Sequence, residues 1–254
     1  MNFLIEWRLN TRRLGRRVLF YESLDSTNTQ AAALADNTDN DGVVVVADHQ
    51  TAGRGQHGRS WQCPAGDGLL LSALLFPPPE LRQPALLTAW AAVSVCETVE
   101  EASGLPAVIK WPNDVLVQGK KVCGILIEQG RGTVTGIGLN INQSAADLAR
   151  AGLPLAGSLA CLAGRRFDRK EILRLLLGNL DDAYDGLCQG NVAKLEECWQ
   201  QRVGLLGKKV QAECVGGTHH GLLCGMSFAG LALEQPGGQR VLLSAEAVRQ
   251  LAEW

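Results

Sequence analysis

A chain of 254 residues with 46% hydrophobic and 20% charged residues holds enough core material for one large domain, or a medium domain with a small companion, and its composition is neither disordered nor fibrous. Its formal net charge of -2 argues against a general nucleic-acid binder and leaves room only for a local basic patch. The 8 cysteines form no CxxC pair, so they predict small buried hydrophobes in a reducing compartment rather than a disulfide framework.

The segment from Met1 to Ile5 is too short for an export signal, and no uncharged apolar stretch is long enough to span a membrane, which predicts a soluble, cytoplasmic protein. Arg8, Arg12, Arg13, Arg16 and Arg17 form a basic cluster, read as a solvated terminal segment, the alternative being contact with phosphate or an acidic partner. "VLFYESLDSTNTQAAALA" predicts a strand running into a helix capped at Thr27. "GVVVVADHQ" has no polar face until its end, as in a buried strand, and "GLLLSALLF" is a second, ended by Pro77, Pro78 and Pro79. Between them, "HQTAGRGQHGRSWQ" is a loop at the edge of a buried sheet.

Leu81 to Ala102 predicts a long helix, "AVIKW" a strand, and "VLV" with "KKVCGILIEQG" a hairpin turning at Gln118-Gly119. "TVTGIGLNIN" is another strand, and Leu148 to Gly164 is ambiguous. Asp168 caps a helix through "KEILRLLLGNLDDAYDGL", and Val192 to Gln201 is a further helix ending near Gly204. Beyond Gly204, short strands joined by glycine turns predict a small β-barrel that must pack on its neighbour, because some fifty residues make a marginal core alone. The fold class is α/β in the α+β sense: a mixed central sheet with helices over residues 1–203 and the barrel over 204–254.

The glycine-rich loop imitates GxGxxG, but no helix pattern follows it, and no Walker A motif occurs. Its closely spaced glycines let amides converge on an anion, Arg54 and Arg59 supply positive charge, and Trp61 offers a flat face. In "KWPNDVLVQGKKVCGILIE", Lys110 ends a strand expected to be buried, so it is either a snorkelling stem or a paired functional charge. Asn113 and Asp114 either hold a turn or serve a nucleotide and its magnesium. His49, His57 and the glycine-turn pair His219 and His220 lack zinc-ligand spacing, and neither GxSxG nor HExxH is present.

Taken together, "DSTN" (Asp25 to Asn28), "QTAGRGQHGRSW" (Gln50 to Trp61), "KWPNDVLVQGKKVCGILIE" (Lys110 to Glu128) and "GIGLNIN" (Gly136 to Asn142) resemble, in order, the motifs of the biotin protein ligases. The resemblance covers roughly residues 18 to 250 and implies a class II synthetase-like ligase domain with an SH3-like C-terminal barrel. It implies an enzyme that makes biotinyl-5'-AMP from biotin and MgATP and passes biotin to a lysine of a biotin carboxyl carrier protein. MgATP and biotin are then substrates, with no bound organic cofactor and no zinc. It carries Lys121 and Arg54 over as catalytic, and Ser26, Thr27, Asn28, Gln50, Gly53, Arg54, Lys121 and Gly124 as biotin-binding. Arg54, Gln56, His57, Gly58, Arg59, Trp61, Asn113 and Asn142 fall on the nucleotide, and Asp114 on magnesium.

Two departures stand out. Gln56 occupies a position where members often carry arginine, which predicts weaker retention of the adenylate unless His57 or Arg59 compensates. The stretch before Asp25 is too short for the helix-turn-helix domain of repressor-type relatives, so a monofunctional ligase without a DNA partner is expected, as monomer or homodimer. Lipoate or octanoate ligation is the enzymatic rival. A biotin sensor that has lost turnover is the other, and the presence of Arg54 and Lys121 speaks against it.

Overall fold

A computed structural model describes residues 5–254; Met1 to Leu4, most of the segment read as too short for an export signal, lie outside the described residues. β1 (Ile5–Trp7), β2 (Val18–Leu24), β3 (Val44–Gln50), β4 (Gly68–Leu75), β5 (Ala107–Lys110), β6 (Asp114–Val117), β7 (Lys120–Gln129) and β8 (Thr133–Asn140) form one sheet in the order β1-β2-β3-β4-β8-β7-β6-β5. β2 and β3 are parallel because α1 (Thr27–Ala32) crosses between them; every other pair is antiparallel.

The unbroken apolar run of β3 reflects burial on both faces. Val44 and Val46 join the core beneath α2 (Pro84–Ser103), while Val43, Val45 and Ala47 join a smaller core with Ala31 of α1. α2 is apolar around most of its girth since it lies between the sheet and two further helices, α5 (Arg169–Cys188) and α6 (Val192–Val203). Trp90 is fully buried, and its indole N–H donates to Leu180 O at 3.1 Å. Each fully buried Leu or Ile of this layer contributes about 1.5–3 kcal/mol relative to exposure.

The second sheet comprises β9 (Lys209–Cys214), β10 (Gly217–Met226), β11 (Gly230–Glu234), β12 (Arg240–Ser244) and β13 (Val248–Glu253), antiparallel in the order β12-β11-β10-β9-β13, in keeping with an SH3-like fold. It does pack on its neighbour. Trp111 stacks toward Trp199 at 5.7 Å and Trp199 toward Phe228 at 5.2 Å, and Trp111 Nε1 donates to Val248 O at 2.9 Å.

Several expectations need correction. Ser26, not Thr27, is the N-cap of α1, and it makes no side-chain cap bond. α2 begins at Pro84, since Pro79–Leu81 form a separate 3-10 turn. The ambiguous stretch holds two short helices, α3 (Ala145–Arg150) with a Ser144–Asp147 capping box and α4 (Leu159–Ala163). Lys110 is exposed, because β5 is an edge strand that alternates buried and exposed residues. His219 and His220 sit within β10, opposite Ala212 and Gln211, rather than in a turn. All 8 cysteines are free, but only Cys96 and Cys123 are buried.

The arginine cluster is not merely solvated. Arg12 pairs with Asp182 at 2.7 Å, Arg13 with Asp185 at 3.8 Å, and Arg17 and Arg8 with Glu6 at 3.6 and 3.3 Å. Beneath them the buried Asp181 carboxylate accepts the backbone N–H groups of Arg12, Arg13 and Leu14 at 2.6, 2.8 and 2.8 Å. This fastens the segment to α5. Among the described residues no helix is long and apolar enough to cross a membrane.

Candidate active site

Alternation along β7 and β8 creates a hollow. Cys123, Ile125, Ile137 and Leu139 point into the core beneath α2, so Gly124, Gly136 and Gly138 fall on the opposite face. Gly124 pairs with Gly138 across the strands, and Gly136 lies beside Ser72 of β4. These glycines are required by what lies over them. A Cβ at Gly138 would stand 2.4 Å from the Trp61 ring, and one at Gly136 would stand 2.2 Å from Asn28 Oδ1. The cavity above has a volume of about 460 Å³.

At one end of the hollow lies a buried polar cluster. Gln50 Oε1 accepts from the Thr27 N–H at 2.7 Å and the Thr27 hydroxyl at 3.0 Å. Ser72 Oγ lies 2.7 Å from Thr27 Oγ1 and 2.5 Å from Asn28 Oδ1, so its single proton serves one of them at a time.

At the other end stands Lys121. β7 carries a bulge: Val115 pairs with Cys123 and Leu116 with Lys121, leaving Val122 unpaired. Val122 and Cys123 both reach the core, and Lys121 therefore shares the pocket face with Gly124 despite a spacing of three. Its Nζ lies 2.6 Å from Asp114 Oδ1 and 5.6 Å from the Trp61 ring centroid.

The glycine-rich loop is a small hairpin. Gly55 N–H donates to Arg59 O at 2.7 Å and Trp61 N–H to Gly53 O at 2.9 Å, and the tip at Gln56–Gly58 turns through His57 at φ 56°. Of the three glycine amides expected to converge on an anion, that of Gly55 is consumed inside the hairpin. The loop also presents side chains. Arg54, Gln56, His57, Arg59 and Trp61 line the cavity with Lys110, Asn113, Asp114 and Lys121. Arg54 is tied down by Thr29 Oγ1 at 2.8 Å and by both oxygens of Glu128 at 3.1 and 2.8 Å. Burial pushes the Glu128 carboxyl up, but hydrogen bonds from Arg54 and Asn28 and the charge of Arg54 outweigh it and hold the pKa below the ordinary carboxylate range.

Of the residues expected here, Ser26, Thr27, Asn28, Gln50, Arg54, Gln56, His57, Arg59, Trp61, Asn113, Asp114, Lys121 and Gly124 are brought together around the cavity. Three are not. Gly53 lies behind the hairpin, where a Cβ would stand 2.4 Å from Trp61 O, so it serves close backbone approach rather than ligand contact. Gly58 sits at the exposed tip. Asn142 is turned away: its Nδ2 donates to Phe167 O at 2.9 Å and its Oδ1 accepts the Phe167 N–H at 3.0 Å. Asn140, two residues earlier, lines the cavity, its side-chain amide donating to Gly157 O at 3.0 Å and accepting from Gln143 Nε2 at 2.8 Å.

Asn113 is partly structural, exchanging bonds with Ile125 through its side-chain Nδ2 at 2.7 Å and its carbonyl at 3.0 Å. Asp114 already faces Lys121, so it meets magnesium only by sharing its carboxylate. Among the described residues no group of three or more His, Cys, Asp and Glu side chains is placed to hold a metal ion. Close behind the loop, burial first, then Asp67, pushes the Cys63 thiol up to about 12, which disfavours the thiolate. Sequence reasoning also missed Glu213, Arg249 and Gln250, which the second sheet brings to the rim.

Arg54, Arg59, Lys110, Lys121 and Arg249 around a side-chain-free floor define a protein that takes an anionic small molecule against the face of a mixed sheet. Comparison with known proteins gives the family. The model of the biotin/lipoate A/B protein ligase family matches residues 20–144. The bifunctional ligase/repressor BirA of Bacillus subtilis is 34% identical over 249 residues, covering 95% of this chain and 77% of that protein. The biotin–[acetyl-CoA-carboxylase] ligase of Paracoccus denitrificans is 34% identical over 241 residues, covering 87% and 96%. The biotin protein ligase of Aquifex aeolicus, solved in complex with biotin and ATP, superposes with a TM-score of 0.79 at 29% identity over 93% of this chain and 99% of that one. The chain belongs to the biotin/lipoate A/B protein ligase family.

Proposed function

We propose that this protein activates biotin with MgATP and transfers it to a lysine of a biotin carboxyl carrier protein. In the first step a biotin carboxylate oxygen attacks the α-phosphorus of ATP, and pyrophosphate leaves with the bonding electron pair. In the second the neutral lysine amine attacks the acyl carbon of biotinyl-5'-AMP, AMP departs, and the amine nitrogen loses a proton. Both partners of the first step are anions, so the barrier is largely electrostatic. Lys121 and Arg54 are assigned to the charge that accumulates on the pentavalent oxygens, and the magnesium carried by ATP adds to them. Trp61 is assigned to the adenine, and the Ser26–Asn28 and Gln50 cluster to the polar head of biotin. The hairpin over the cavity excludes water from the labile anhydride.

The observation that carries this reading is the bulged strand that sets Lys121 beside a glycine floor and Trp61. Following labelled biotin onto a carrier domain, with lipoate and octanoate in parallel, tests it. We expect transfer of biotin alone, and K121A to lower kcat/KM by about 100- to 1000-fold. Turnover of another acid in place of biotin would overturn the substrate.

We further propose a cytoplasmic enzyme that works without DNA, since Arg8, Arg12, Arg13 and Arg17 are engaged by acidic side chains of the same chain. We place the boundary between the ligase domain, residues 1–203, and the second domain, residues 204–254, at the αL residue Gly204 that ends α6. Glu213, Arg249 and Gln250 support a part for the second domain in completing the nucleotide side. The exposed edge strand β5 supports docking of the carrier or of a second copy.

A further inference from the structure

Glu128 is absent from every expectation derived from the sequence motifs, yet it joins two parts of the site. It lies on β7 four residues beyond Gly124 and therefore on the same face of the strand. Its Oε2 accepts from Asn28 Nδ2 at 2.6 Å and from Arg54 Nη2 at 2.8 Å, and its Oε1 accepts from the same Arg54 nitrogen at 3.1 Å. Asn28 belongs to the buried cluster at the end of the hollow, and Arg54 to the polar hairpin above it. One carboxylate oxygen thus holds a residue of the end cluster and a loop residue together.

The geometry of the guanidinium indicates what this does. Nη1 donates to Thr29 and Nη2 to Glu128, so both terminal nitrogens are held by anchors that do not themselves line the cavity. Arg54 has five donors, and those not engaged by the anchors remain for an anion in the cavity. Held this way, the guanidinium meets its ligand without first losing side-chain rotational freedom.

Resting on the functional reading above, we propose that Glu128 is the positioning residue for Arg54, orienting its guanidinium toward the anionic groups of the substrates while bracing Asn28 at the biotin end. It touches no reacting atom. The rival role has the opposite sign. If Glu128 were only a competing counter-ion, neutralising it would free Arg54 and strengthen anion binding. A positioning role makes neutralisation weaken it, since glutamine offers one acceptor oxygen to donors that now share two, and turns an N–H toward them.

The test compares wild type, E128Q, R54A and the double variant in the carrier-labelling assay, with inorganic pyrophosphate binding measured by calorimetry on the same preparations. Thermal denaturation verifies that each is folded, as expected for a pair that is 43% and 40% exposed. We expect E128Q to raise KM for MgATP and lower kcat/KM roughly tenfold. We expect it to weaken pyrophosphate binding, and to cost no further activity in the R54A background. Tighter or unchanged pyrophosphate binding in E128Q, or losses that multiply in the double variant, would overturn the positioning role. Wild type that is inactive with biotin would overturn the functional reading instead, and the pyrophosphate measurement would still decide the role of Glu128.

Discussion

The two faces of the large sheet are built from the same strands and share almost no chemistry. Toward α2, β7 and β8 present Cys123, Ile125, Ile137 and Leu139, each no more than 2% exposed. Toward the cavity the intervening residues are Gly124, Gly136 and Gly138. Stability resides on the first face and ligand space on the second, so period-two alternation keeps the two requirements from competing.

The largest effect should come from filling the hollow. Gly138→Val places a side chain where the half-buried Trp61 ring of the hairpin now lies, in a strand that suits valine. Biotin binding by calorimetry should vanish and kcat/KM fall more than about 1000-fold, with the melting temperature little changed. Ile137→Ala, one residue away, should do the reverse. It should cost about 2–5 kcal/mol in denaturant unfolding and leave KM for biotin within about twofold. If both substitutions damaged stability and binding alike, the separation of the faces would be wrong.

Smaller changes sharpen the contrast. Ser72→Ala leaves a buried acceptor at Asn28 Oδ1 without its donor and should cost about 1–3 kcal/mol in unfolding experiments, together with some biotin affinity. On the core side, Glu100 of α2 receives hydrogen bonds from Arg202 of α6 at 2.9 and 3.0 Å, which hold its pKa below the ordinary carboxylate range despite partial burial. A depressed folded pKa gives stability that is fully present above the unfolded value of about 4.3 and is lost as pH falls through the folded value. The stability gap between wild type and E100Q should therefore close on acidification through that window, as urea titrations at successive pH values would show. The smallest effect belongs to Gln56, at the loop tip. Q56R should slow adenylate dissociation by roughly a few fold, and equal rates would remove any penalty for the missing charge.

Most strands were legible from unbroken or alternating apolar runs, and the hairpin at Gln118-Gly119 from its turn residues. Lys110 was misjudged because the string "AVIKW" carries no sign that its strand lies at the sheet edge, which only strand order decides. That Asn140 lines the cavity and Asn142 lies off it was hidden for a related reason. "GLNIN" offers two asparagines of equal parity, and the end of β8 after Asn140 turns the second toward Phe167. The small helices α3 and α4 are too short to show periodicity. Glu128 could have been found, since it ends "GILIE" in phase with Gly124, but phase alone does not reveal that Arg54 folds down to meet it.

The indole of Trp111 belongs to the cavity wall, yet its N–H is bonded to the carbonyl of Val248, next to Arg249 and Gln250 at the rim. Together with the chain of rings through Trp199 to Phe228, this makes the second sheet a poor candidate for exchange between relatives. A chimaera would have to import a matching carbonyl and a matching aromatic along with its new surface. Swapped as a cassette, the sheet would bring its sequence but lose its seat.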